Sequence, residues 1–471
     1  MQERYLAVAD LGSENIALTV ARIAEKDIQV IYHRNTPSEG IRHSCVFNPR
    51  KAEIALRKAI DAAEDELKIK ITQLVTGLPR YGVSQDIGTA RIDRSEPQDC
   101  ISQEEIDALK DMAAVSYPIA DEEKEQIYGM VAQSFSSDEL IQQSEDDILG
   151  ATGRSLDGNF KVFVGARSAV RNIDMVFGRG LSLACRTVFV PECVGDATLT
   201  SDEKENGVAL IEMGAEVTSI SIYQGGILRF YHAIPFGGKN ITEDIKYECS
   251  FSTRLAENIK LAWGACLPDK LQSMTDKILQ INDNESGRSD KLPVKYLSEI
   301  ITARAEEIME AMLFVIQESG FAERLRSGIV ITGGGAKLAN LTLMIKEMSG
   351  YNVRIGYPRS RHFTAEDCPG ISDPAAAASV GMLLAGAKDP RLNCTGEVLQ
   401  PQPEPEPEPE EEPDYTDTVF GRPSEPVQKP SKPSRPKKIR KPKITWTIDD
   451  VGQKLGSAVE NIFGDLFDEA K

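Results

Sequence analysis

Two stretches of the chain end an apolar run in an acid-x-glycine turn. One reads YLAVADLGSENIALTVARI and the other GVALIEMGAEVTSISIYQGG. With Asp10 set over Glu212, Gly12 falls on Gly214 and Glu14 on Glu216. Each turn leads into an alternating run of Ile, Leu, Val and Thr, which predicts a β-hairpin with a carboxylate at its tip. A third segment, GIVITGGGAKLANL, is a β-branched strand followed by Gly333, Gly334 and Gly335 and a helix-like run. Glycines at such a junction let backbone N–H groups approach an anion, and a helix N-terminus favours negative charge. The same turn also serves as a plain tight connection, and Asp10 as a turn-forming aspartate after a strand. Neither G-x-x-x-x-G-K-[ST] nor G-x-G-x-x-G occurs, which argues against P-loop and Rossmann chemistry.

The elements that must hold these turns follow from the repeat. Two equivalent hairpins predict a duplicated domain, and two α/β halves facing one another make a cleft for a small ligand. At 471 residues and 41% hydrophobic content the chain can bury two or more cores. A formal charge of −19 argues against nucleic acid as a partner of the body. The eight cysteines form no C-x-x-C pair and the four histidines are isolated, a pattern of reduced thiols in a cytosolic protein rather than a metal or disulfide framework. Asp10 breaks the first apolar stretch, so no signal peptide is expected. The small apolar run Ala375 to Ala387 is too short to span a bilayer, and membrane contact should be peripheral.

The last part of the chain has its own plan. From Gln400 it runs PQPEPEPEPEEEPD, where alternating proline excludes helix and sheet ladders and predicts an extended solvated tether. Eight Lys or Arg then lie between Lys429 and Lys443. In the final segment Ile448, Val451, Leu455, Val459, Ile462 and Leu466 recur at steps of three and four, with Trp446, Phe463 and Phe467 at the edges of that helix face. A lone helix of this kind needs a surface. Its six acids against Lys454 and Lys471 are unusual for a helix on anionic lipid and would suit a protein groove. The basic stretch beside it favours an anionic membrane.

Two acid-x-Gly hairpins followed by a GGG strand–helix turn resemble the actin-like ATPases. Within them the chain resembles the FtsA family of bacterial cell-division proteins. ADLGS, IEMGAE and ITGGGA stand in that family's order, LAENIKLAWGA and DPAAAASVGMLLAG also match, and the tail repeats its plan of linker and terminal helix. The resemblance implies an actin-like two-domain α/β ATPase fold with an FtsA-type small subdomain inserted in the first domain, then a disordered tether and an amphipathic helix. The first domain would comprise residues 1–81 and 161–205, with the subdomain at 82–160. The second would comprise 206–240, a small lobe at 241–318 and a closing part at 319–388. The tether would be 389–443 and the membrane helix 444–471.

Carried over residue by residue, the resemblance implies an ATP site between the halves. Asp10, Gly12 and Ser13 would approach the phosphates, Asp10 serving the Mg²⁺ shell indirectly, and Asn15 stands where many relatives have lysine. Gly214 and Ala215 would form the second phosphate turn. Glu257 and Lys260 would reach the nucleoside, although at i and i+3 they also read as a surface ion pair. Gly333, Gly334 and Gly335 would form the adenosine turn. The second hairpin departs from the actin-like pattern, with Glu212 in place of Asp and Glu216 where a glycine usually admits the γ-phosphate. An uncompensated anion there opposes phosphate unless a metal intervenes or the side chain turns away. The expected activity is therefore ATP binding with at most slow hydrolysis, Asp10 and Glu212 being the candidate acids.

For partners the resemblance implies the C-terminal peptide of FtsZ, the tubulin-like division protein, held beside Arg304 and Glu307. Those two also read as solvated positions of an amphipathic helix. It further implies self-association into filaments, anionic lipids, other division proteins at the small subdomain, and a place on the cytoplasmic side of the cell membrane at the division site. The alternatives are a PilM-like scaffold of a membrane machine, which would not need the tether, and a DnaK-type chaperone ATPase, which would need a further β-domain.

Overall fold

The computed structural model describes residues 4–24, 27–138, 140–283 and 288–395. The tether and terminal helix expected from the sequence, including Trp446 to Phe467, lie outside these residues.

The hairpin repeat is the visible part of a repeated sheet. In the first half, strands Arg4–Leu11, Asn15–Ala24 and Asp27–Pro37 form an antiparallel meander. Gln73–Gly77 then lies parallel to the first strand and Ala184–Val188 parallel to that. In the second half the meander is Val208–Met213, Thr218–Gln224 and Ile227–Ile234, followed by the parallel strands Ile329–Thr332 and Val353–Ile355. The spatial order is the same in both sheets, with Thr364–Ala365 added to the outer edge of the first. Helices cover the faces, which is why the central strands read as nearly continuous apolar runs. Leu6 to Ala9 and Val208 to Ile211 are all buried.

Between the second parallel pair of the first sheet is a separate antiparallel sheet of Ser84–Asp93, Ser155–Ala166, Glu125–Ser137 and Leu140–Gln143. Helix Gln103–Ser116 lies against it, started by a Ser102–Glu105 capping box. Alternation along Ser155–Ala166 splits its side chains between two cores. Phe160, Val162 and Val164 face the subdomain, while Phe163 stacks on Phe189 at 4.7 Å in the main core. This strand runs on to Ala166, past the boundary expected at 160, because it carries the join.

In the second half, helices Gly238–Cys249, Thr253–Trp263 and Val294–Glu318 surround the second core. The stretch between them, which no sequence pattern resolved, holds two short 3₁₀ turns and the hairpin Ile278–Asp283/Arg288–Pro293. Leu271, Leu279, Ile281 and Leu292 bury it.

The packed chain also continues beyond residue 388. The Arg4 guanidinium donates to the carbonyls of Ala387, Asp389 and Leu392 at 2.7, 2.6 and 2.9 Å. The Cys394 N–H donates to the Tyr5 carbonyl at 2.7 Å, and Thr395 bridges to Ile71. A tether starting at 389 is thus corrected: residues 389–395 belong to the first half.

Helices Val190–Thr198 and Ala377–Ala387 cross where the halves meet. A Cβ on Gly381 would lie 2.1 Å from the Cys193 carbonyl oxygen, so the backbones touch there. Glu192 sits at this crossing. Burial pushes its carboxyl up from 4.5 to about 7, and neighbouring Asp196 adds to the rise against Lys388 and Lys204. A raised carboxyl pKa adds stability below its unfolded value and loses it as pH climbs through the folded one. The window here is pH 4.5 to 7, and the loss is on the order of 3 kcal/mol. Glu192→Gln should therefore gain thermal stability relative to the wild type between pH 5 and pH 8. A pH-independent difference in melting temperature would contradict this.

Candidate functional site

The tips of both hairpins meet the segment that follows strand Gln73–Gly77. Arg80, three residues past that strand, reaches across the cleft. Its Nη2 donates to Asp10 Oδ1 at 3.0 Å and its Nε lies 3.3 Å from Glu212 Oε2. One carboxylate comes from each half, and their side chains are each 16% exposed against 11% for Arg80. Arg80 Nη1 also donates to Ser44 Oγ at 3.3 Å. The Arg80 carbonyl accepts from the buried Tyr231 hydroxyl, on the second sheet, at 2.5 Å. Burial alone works against the guanidinium's charge, but Asp10 and Glu212 outweigh it and hold its pKa above the ordinary arginine value. Burial raises the Glu212 carboxyl, with Arg80 opposing and Asp10 adding to the rise.

A two-residue turn closes the same end. The short strands Ile41–Arg42 and Cys45–Val46 are joined by His43 and Ser44, at φ 46° and 60°. Positive φ at both central residues gives the primed turn that matches strand twist. The Ser44 N–H donates to Ser13 Oγ of the first hairpin at 3.2 Å. The His43 N–H donates to Glu216 Oε2 of the second at 2.9 Å. Glu216 also pairs with Lys239 Nζ at 2.7 Å. Although burial raises its carboxyl, Lys239 and the His43 N–H bring the pKa below the ordinary value. The anion that opposed phosphate in the sequence is therefore compensated in place.

Around the second hairpin the backbones crowd. Gly238 and Lys239 N–H groups donate to the carbonyls of Gly214 and Ala215 at 2.9 and 2.8 Å. This docks the start of helix Gly238–Cys249 on the turn and uses donors that a helix N-terminus usually leaves free. Lys260 is only 10% exposed, and its Nζ donates to the Gly238 carbonyl, Thr242 Oγ1 and Glu257 Oε2 at 2.8, 2.7 and 2.8 Å. Thr242 in turn donates to Glu257. This ties two helices together and is more than an exposed i,i+3 pair. The glycine turn lies next to the same hairpin. Gly333 is buried at φ 85°, and a Cβ on it would fall 2.5 Å from the Met213 carbonyl oxygen. Gly334 is exposed with nothing near its missing side chain, so the turn presents open backbone.

The structure thus gathers Asp10, Gly12, Ser13, Glu212, Gly214, Ala215, Glu257, Lys260 and Gly333 to Gly335 around the two hairpins. Asn15 is exposed at the start of the return strand. Arg304 and Glu307 lie elsewhere, on helix Val294–Glu318, where Arg304 forms a two-pronged bond to Asp244 at 2.6 and 3.0 Å and a third to Glu307 at 2.6 Å. Sequence reading missed Arg80, the His43–Ser44 turn and Lys239. One signal for Arg80 was present: Val75-Thr76-Gly77 repeats Ile331-Thr332-Gly333, so LPR occupies the place of the glycine turn in the first half.

Comparison with known proteins fits this geometry. A family model described as "Cell division protein FtsA" matches residues 209–381. The FtsA of Neisseria meningitidis serogroup B is 29% identical over 398 residues, covering 82% of this chain and 91% of that protein. That of Bacillus subtilis is 25% identical over 392 residues, covering 83% and 85%. Over most of its length the chain is similar to the FtsA family of cell-division proteins. Among solved structures, the PilM–PilN type IV pilus biogenesis complex aligns with a TM-score of 0.58 at 15% identity, covering 82% of this chain and 99% of that one, a likeness of fold. The chain has the actin-like two-domain fold. Among its described residues no helix is long and apolar enough to cross a membrane.

Gly333→Ala should cost about 2 kcal/mol through strain at positive φ and collision with the Met213 carbonyl. Gly334→Ala, in open space, should cost under about 1 kcal/mol. Denaturant midpoints of the two variants check this, and equal midpoints would contradict it.

Proposed function

We propose that this chain is an ATP-binding, self-associating scaffold of cell division that ties the FtsZ tail to the cytoplasmic face of the membrane at the division site. Similarity to the FtsA family supports this reading, and the observation that carries it is the pair of hairpins closing on one cleft beside an open glycine turn. The nucleoside end fits a nucleotide: Gly334 leaves the backbone bare, and Lys260 and Glu257 are held rigidly next to Gly238. Hydrolysis is slow. A general base needs an acid free to take a proton, and Asp10, Glu212, Glu216 and Glu257 each have a cationic partner. ATP therefore sets conformation.

Arg304 is the proposed contact for the acidic FtsZ tail. Its guanidinium is preorganised by Asp244, so a peptide carboxylate competes with that residue. Arg304→Ala should weaken binding of a fluorescent FtsZ-tail peptide, and Asp244→Ala should strengthen it by releasing the cation. Loss of binding in both variants would mean that the Arg304–Asp244 pair acts through the fold.

The proposed membrane anchor is the 444–471 segment, whose apolar residues recur at helical spacing in the sequence, with the Lys429–Lys443 cluster supplying attraction to anionic lipid. The full chain should co-sediment with anionic vesicles at low salt, and a chain ending at Gln402, which keeps the whole packed unit, should not. Equal sedimentation of the two would refute the anchor.

A further inference from the structure

The family resemblance points to a divalent cation beside Asp10, and the residues present do not fit one. The two acids that would serve it are bound to Arg80, which brings a fixed positive charge to the place between the hairpins. Its backbone is pinned by Tyr231 and its Nη1 by Ser44, so the guanidinium is not a loose surface cation. A divalent ion would have to displace it and leave a buried arginine without its acids, which is strongly unfavourable. The guanidinium also has a donor to spare. Although Arg80 Nε lies 3.3 Å from Glu212, it makes no aligned hydrogen bond. Among the described residues it is one of four buried side-chain atoms left so, with Ser38 Oγ, His362 Nε2 and Ser379 Oγ. A buried N–H in that state is stabilised by any anion that reaches it. Lys239 and Lys260, the other cations of the cleft, are already committed to Glu216 and Glu257.

We propose that Arg80 replaces the metal: it pairs with Asp10 and Glu212 at once and offers its unpaired N–H to nucleotide phosphate, so that nucleotide binding needs no divalent cation. The second part rests on the ATP reading above; the first does not. No bond is made or broken.

Mn²⁺ is the probe for the first part, followed by electron paramagnetic resonance on the nucleotide-free full chain. The wild type should bind no more Mn²⁺ than Asp10→Asn, whereas Arg80→Ala should gain one site that Arg80→Ala/Asp10→Asn loses again. The comparison with Asp10→Asn subtracts any ion held by the acidic tail. A wild-type site that Asp10→Asn removes would overturn the proposal. If Arg80→Ala loses its fold by circular dichroism, Arg80→Gln, which keeps length and polarity without the charge, takes its place. A fluorescent ATP analogue tests the second part. Its affinity should be the same in Mg²⁺ and in EDTA, and a loss of about tenfold or more in EDTA would overturn metal-independence. Binding under neither condition would instead refute the ATP reading, with the Mn²⁺ result still deciding the role of Arg80.

Discussion

Each half of this protein ends its central strand in a carboxylate directed at the same cleft. Two like charges in a poorly hydrated space repel by several kcal/mol on the order of magnitude set by Coulomb's law. Arg80 stands between them and pairs with both, offsetting one of the two charges and lowering the cost of bringing the halves together. The rest of the cleft repeats the principle. Lys239 answers Glu216, Lys260 answers Glu257, and the His43 N–H takes the remaining Glu216 oxygen. Arg80 to Glu212 and the His43 N–H to Glu216 join the two halves, while the Lys239 and Lys260 pairs and the close backbone contacts of Gly214, Gly237 and Gly333 hold the second half together around its hairpin.

That network explains how the departures in the second hairpin are tolerated. Glu216 in place of a small residue would be a defect if it faced phosphate alone. Held by Lys239 and the turn at His43–Ser44, it becomes a strut between the hairpins. The turn itself accepts left-handed backbone at two non-glycine residues, a conformation that persists where the surroundings determine it. Here they do, since each of the two residues is tied to a different hairpin.

What the sequence revealed and what it hid divide along a physical line. The duplicated hairpins were legible because buried central strands and their turns leave a local pattern of apolar runs, acids and glycines. The glycine turn was legible for the same reason. Arg80 has no local pattern: it follows a proline, and its partner Asp10 is 70 residues away. Lys239 and His43 are likewise ordinary until folding brings Glu216 to them. The 264–292 stretch resisted reading because its buried apolar residues among those described, Ala265, Cys266, Leu271, Leu279, Ile281 and Leu292, are too irregularly spaced to set a period. The end of the packed unit was placed early because residues 389–395 are polar and short of pattern, and are held by Arg4 and by pairing with Tyr5 and Ile71.

The position of that end bears on how a scaffold of the proposed kind would work. Cys394 and Thr395 are fastened to the first half, beside its central strand. Arg304 belongs to the second half, tied through Asp244 to the helix that docks on the second hairpin. On the proposed function, a pull from the membrane enters one half and a pull from the FtsZ tail enters the other. The joints between them are the helix crossing at Gly381 and the ion pairs of the cleft. The crossing is close-packed, with the Gly381 backbone against that of Cys193, so it resists separation. The ion pairs favour one geometry, because the planar guanidinium bonds Asp10 while standing 3.3 Å from Glu212 in one relative placement of the halves. A nucleotide entering between the hairpins must share Arg80 with those acids. It thereby acts on the joint through which the two loads meet, and this links the cleft to the scaffold without requiring turnover.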